Sequence, residues 1–137
     1  MNPRLQSIGA VGAGFLLTAL ASIAADAVMH AAGIFPSAPQ AMSDGLFLLA
    51  TSYRALFTVA GGFTTATLAP GRPMRHVWVL AGIGLLAGLG GILAFYSIGK
   101  GQLGPAWYAY SIPLEAVPCV WLGGWLATRR SPALRAN

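Results

Sequence analysis

A chain of 137 residues with 56% hydrophobic and 8% charged residues has room for one domain, and its charge falls far below the roughly 25% of a soluble domain. Water is excluded as the solvent for most of it, and a lipid bilayer is the expected surrounding. The formal net charge is +5, yet nucleic acid is excluded as a partner. Arg72, Arg75, Arg129, Arg130 and Arg135 fall in two short clusters flanking apolar runs, the pattern of membrane orientation. The single cysteine, Cys119, forms no internal disulfide and supports no two-thiol relay.

The first apolar run, 8–32, is long enough for a helix to cross the hydrocarbon, which takes ~20 residues. Its polar side chains, Thr18, Ser22, Asp26 and His30, follow one another at intervals of four and form a single stripe. Asp26 and His30 share a face, but with no third ligand in register no metal site is expected. Arg4, the apolar run and Ala25-Asp26-Ala27 also match the outline of a cleavable signal peptide, although the run exceeds the usual 7 to 15 residues of a signal core. Cleavage would leave three spans.

The segment 33–40 carries Pro36 and Pro39 among short polar residues and is expected to be a loop. The second run, 46–69, places Thr51, Arg54, Thr58 and Thr65 on one face, with Gly61 and Gly62 between. Pro70-Gly71-Arg72-Pro73 then reads as a tight turn. The third run, 77–97, has no ionisable residue in its middle and reads as a packing helix. Its Gly84 and Gly88 form a GxxxG, which serves close packing or self-association. After a loop carrying Lys100, the fourth run, 107–128, aligns Tyr108, Ser111, Glu115 and Cys119. Pro113 and Pro118 flank Glu115, and each removes an N–H, freeing the carbonyls of Ala109 and Leu114. Such interruptions beside a charge point to transporter binding sites, and they also kink ordinary membrane helices.

These runs specify an all-α integral membrane bundle of four transmembrane helices in one domain. Arg4, Arg72, Arg75, Arg129, Arg130 and Arg135 stand on one side against Lys100 on the other, so the positive-inside rule puts both ends of the chain in the cytoplasm. Trp107, Tyr108 and Tyr110 then lie at the outer interface, with Trp78 and Trp125 at the inner one. Gly61-Gly62-Phe63 stands nine residues before Pro70 as Gly123-Gly124-Trp125 stands nine before Pro132, and Gly12 and Gly14 echo Gly82 and Gly84. Two duplicated helical hairpins account for this, and so does chance in glycine-rich spans; on either reading the glycines pack helices.

At 1.5 Å per residue Arg54 and Glu115 each lie roughly 12 Å in from the outer end of their spans, with Asp26 ~6 to 9 Å below the end of the first. The expected site is a cluster of Asp26, Arg54 and Glu115 in the outer half of the bundle, with His30, Tyr53 and Tyr108 above it and Ser22 and Ser111 on the same faces. An Arg in hydrocarbon costs at least ~2.5 to 3.5 kcal/mol and must face a carboxylate or water. One Arg and two acids leave one negative charge in surplus, and the less well paired acid is free to take a proton or a cation. Sequence alone leaves open which acid Arg54 chooses.

Asp26, Gly33-Ile34-Phe35-Pro36, Tyr53-Arg54, Gly61-Gly62-Phe63, Pro73-Met74-Arg75-His76, Ala106-Trp107-Tyr108 and Pro118-Cys119-Val120-Trp121 together resemble a family of small four-span bacterial inner-membrane proteins with no established activity. The likeness runs over nearly the whole chain and implies a multi-pass protein of the bacterial inner (plasma) membrane, without an activity, substrate or cofactor. Small multidrug transporters share the size and span count but carry their key acid in the middle of the first span, whereas Asp26 is near its outer end.

No nucleophile and base pair is assignable, His76 and His30 stand at opposite ends and exclude a shared haem, and no P-loop occurs. The expectation is therefore no enzyme and no cofactor. The leading reading is a small transport or permeation component for a small solute, proton or ion, in which Asp26, Arg54 and Glu115 form a charge-compensated site open toward the periplasm, working as a homodimer or with another membrane-protein partner. The alternative is a non-catalytic accessory or structural membrane protein whose buried charges only fix helix packing.

Overall fold

A computed structural model describes residues 2–99 and 103–130; Lys100, Pro132 and Arg135 lie outside the described residues. The chain is all-helical: α1 (Pro3–Ala31), α2 (Asp44–Leu68), α3 (Pro73–Ile98) and α4 (Ala106–Arg130). The first three are long and apolar enough to cross a membrane. The fourth matches α2 in length at 25 residues, but Tyr108, Tyr110, Glu115 and two prolines dilute its apolar character.

Local chemistry sets the helix ends. The Asn2 side chain accepts a hydrogen bond from the Arg4 amide at 3.0 Å, and Pro3 occupies the first turn, where a missing N–H costs nothing. α1 thus begins five residues before its apolar run, and α3, with Pro73 in its first turn, begins four before. Hydropathy marks what sits in hydrocarbon; capping marks the helix. Arg72 in the left-handed region, φ 42°, makes the sharp turn between α2 and α3. In the longer α1–α2 loop the amides of Ile34 and Phe35 both donate to the Met29 carbonyl, and the folded-back Phe35 is buried against the His30 ring. Pro113 and Pro118 both lie inside α4, which continues through them.

The centre of the bundle is the pair α2 and α4, which run parallel. Phe47 packs on Tyr108 near their starts, with ring centroids 4.8 Å apart, and Gly62 meets Val120 near their ends. α1 lies along α2 and α3 along α4, so two helical hairpins join through their second helices. Glycine makes that join: a Cβ on Gly62 would fall on the Val120 backbone, and one on Gly123 on the Val59 carbonyl. Gly61 approaches Gly14 and Thr18 of α1, while Gly124 approaches Val77 of α3. The two glycine pairs thus play matching parts in the two hairpins. Such approach lets dispersion and short polar contacts hold helices together without a hydrophobic drive. The buried cluster Ala66, Val77, Leu80, Ala81, Val120 and Ala127 fills this end, and Thr65 Oγ1 donates to the Ala10 carbonyl at 3.2 Å.

α1 and α3 also meet at this end, where Ser7 Oγ and His76 Nε2 share a hydrogen bond of 2.9 Å. The GxxxG of α3 is spent within the chain. Gly88 rests against Pro113, where an added Cβ would come within 2.8 Å of its backbone, and Gly84 faces the Ala116 methyl.

Candidate functional site

Asp26, five residues before the end of α1, points at α2. Tyr53 Oη donates to Asp26 Oδ1, and Arg54 Nη2 donates to Asp26 Oδ2 in an ion pair. The two charged side chains are 26% and 30% exposed, so the pair is partly screened and makes its bonds in a half-dry setting. The Arg54 guanidinium also stands 5.8 Å from the centroid of the Tyr108 ring, within reach of its negative face. The choice left open by the sequence is settled: Arg54 pairs with Asp26.

Glu115 is the other acid. Among the described residues it makes no hydrogen bond and no ion pair. It lines a cavity of about 310 Å³ together with Arg54, Ser22, Thr18 and Thr58. The sealed, unpartnered side-chain polar atom among the described residues is Arg54 Nε rather than a Glu115 oxygen. Glu115 thus lines the cavity with a carboxylate that is not sealed inside the bundle.

The cavity has a simple origin. α1 and α4 stand diagonally across the bundle with hardly any contact, and above Leu80 the α3 residues that line the gap are Gly84, Ala87 and Gly88. Its floor is polar but quiet. Thr18 Oγ1 donates to the carbonyls of Gly14 (3.0 Å) and Phe57 (3.2 Å), and Thr58 Oγ1 donates to the Arg54 carbonyl at 2.8 Å, so both hydroxyl protons are committed to backbone. Arg54 and Glu115 stand ~15 and ~13 Å along helices of equal length, close to the helix midpoints.

The expected cluster is thus two connected features. Asp26, Tyr53, Arg54 and Tyr108 form a network between α1, α2 and α4, and Glu115 and Ser22 face the cavity beside it. His30 does not join: its Nδ1 is bonded to the Asp26 carbonyl oxygen at 2.9 Å and its ring packs edge-on to Phe35. Ser111 donates to the Tyr108 carbonyl on its own helix, and Cys119 is a half-buried free thiol. Sequence reasoning missed Phe15, Ala87, Ile112 and Ala116 as cavity wall. The available signal was the run of small residues at positions 84, 87 and 88 opposite an ionisable residue.

Comparison with protein-family models, with curated proteins and with solved structures returns no match.

Proposed function

We propose that this is a four-span protein of the bacterial inner membrane, with both ends in the cytoplasm, that serves as a small transport or permeation component. Its ligand site is Glu115, and Asp26, Arg54 and Tyr53 are the scaffold that holds α1 against α2. The observation that carries this reading is the cavity in which Glu115 stands free while Arg54 is already neutralised by Asp26. Asp26 and Arg54 sum to zero charge, so Glu115 is the surplus acid that takes up a proton, a cation or a small polar solute.

The fourth crossing is supported by the length of α4 and by the exposed Leu114, Trp121 and Leu122 along it. Its inner end is supported by the Arg129 guanidinium 4.0 Å from the centroid of the Trp125 ring, an arrangement suited to a headgroup interface. The hydrogen bonds from α2 to Asp26 and Ala10 make α1 a working part of the bundle, which favours retention of the first helix over its removal as a signal peptide.

The test is electrical. Protein reconstituted in vesicles on a solid-supported membrane is expected to give a displacement current under a pH or cation gradient, and Glu115→Gln protein of unchanged helicity is expected to give none. An equal current in that variant, or none from folded wild-type protein, overturns the transport reading and leaves an accessory protein whose charges fix packing.

A further inference from the structure

The wall of the Glu115 cavity is incomplete on one side. Phe15 and Ile23 of α1 and Ala87 of α3 line it, yet Phe15 is 40% and Ile23 64% exposed on the outside of the bundle, and Ala87 is exposed as well. A residue that borders a cavity and the outer surface at once marks a mouth. This mouth opens sideways between α1 and α3, near the middle of the helices. Below it, an apolar groove along the same seam, lined by Val11, Phe15 and Val79, reaches down to Ser7 and His76. For a chain embedded in lipid, the route to Glu115 therefore comes from the acyl chains.

We infer that the ligand of Glu115 is a lipophilic monovalent organic cation that enters laterally from the bilayer between α1 and α3. The inference rests on the reading of Glu115 as the ligand-binding acid. Three observations select this class. Lateral access admits only molecules already dissolved in the membrane. One free carboxylate in an otherwise charge-balanced site matches one positive charge, and the ion pair formed is neutral, which removes the cost of a lone charge at that depth. The remaining wall is methyl, methylene and ring, from Phe15, Ile23, Leu80, Ile112 and Val120. An inorganic cation such as Ca²⁺ needs six to eight oxygens and finds few here, whereas the apolar body of an organic cation finds contact throughout. A volume of about 310 Å³ stands at the small end of ligand pockets, and Phe15 at the mouth offers a ring face to the passing charge.

The experiment is equilibrium binding of radiolabelled phenyltrimethylammonium to the full chain in lipid nanodiscs. Wild-type protein is expected to bind it saturably. Glu115→Gln is expected to weaken binding at least about tenfold, as loss of one partner of a desolvated charge pair does, while Glu115→Asp retains part of it. Neither potassium nor tert-butylbenzene, which has the shape without the charge, is expected to displace the label. Ala87→Trp, at an exposed position, is expected to keep the wild-type melting temperature and to slow association at least about fivefold by narrowing the mouth.

Undiminished binding in Glu115→Gln, displacement by potassium or tert-butylbenzene as effective as by unlabelled cation, or unchanged association in Ala87→Trp overturns the inference. Absence of binding by wild-type protein overturns it too. If the gradient-driven current persists and still depends on Glu115 in that case, transport stands and only the ligand class falls.

Discussion

The end of the bundle beside the α2–α3 turn and the end beside the α1–α2 loop are made of the same four helices but closed by different means. At the first, Gly14, Gly61, Gly62 and Gly123 let backbones touch, and Val77, Leu80 and Ala127 fill what is left. At the second, Tyr53, Arg54 and Asp26 tie α1 to α2, and the cavity at Glu115 remains. Small residues close a seam by removing side chains. A charge network closes one only between the helices it bridges. The cavity lies beside both, with Arg54 of the network on one wall and Gly84 and Gly88 on another.

The largest effect is expected at the closed end. In Gly123→Val the new side chain meets the Val59 carbonyl and the Phe63 amide, backbone atoms that cannot turn aside, so the cost exceeds about 3 kcal/mol and assembly fails. Loss of the folded monomer in detergent, followed by helicity and gel filtration, checks this. Gly91→Ala is the control, since nothing lies within 4 Å of the added Cβ, and it is expected to be neutral or up to about 1 kcal/mol stabilising.

At the open end Arg54→Leu leaves Asp26 without its cation and, the pair being partly exposed, is expected to cost about 2 to 3 kcal/mol, read as a lower melting temperature. Tyr53→Phe removes one donor to the same carboxylate and is expected to cost about 1.5 to 3 kcal/mol. Glu115→Gln is expected to change stability by less than about 1 kcal/mol, because among the described residues the side chain it replaces makes no hydrogen bond. Equal destabilisation by Glu115→Gln and Arg54→Leu would erase the distinction between scaffold and site.

Much of the architecture was legible in the residues. Apolar runs bounded by proline and glycine placed all four helices, and intervals of four put Thr18, Ser22 and Asp26 on one stripe. The partners along those stripes were less legible, because periodicity fixes a face but not the neighbour it meets. Asp26 and Glu115 both reach the level of Arg54, and only the closeness of α1 to α2, set by Gly14 and Gly61, decides between them. His30 was drawn toward the cluster by its spacing, but the folded-back loop supplies Phe35 as its neighbour. The GxxxG of α3 had two readings, packing within the chain or self-association, and Pro113 occupies it. That same contact gives Pro113 a packing role in addition to its effect on the helix hydrogen bonds. The cavity was invisible because an absence of side chains has no motif of its own.

The two carboxylates differ in what they can meet, and their chemical reactivity tests that contrast most directly. Dicyclohexylcarbodiimide partitions into lipid and adds to carboxylic acids that it can reach, and peptide mass spectrometry locates the adduct. The expected result on folded protein in nanodiscs is modification of Glu115, through the mouth between α1 and α3, with Asp26 protected by Arg54 and Tyr53. Modification of Asp26 in preference to Glu115, or of neither, would contradict the assignment of Asp26 to the scaffold and Glu115 to the open site.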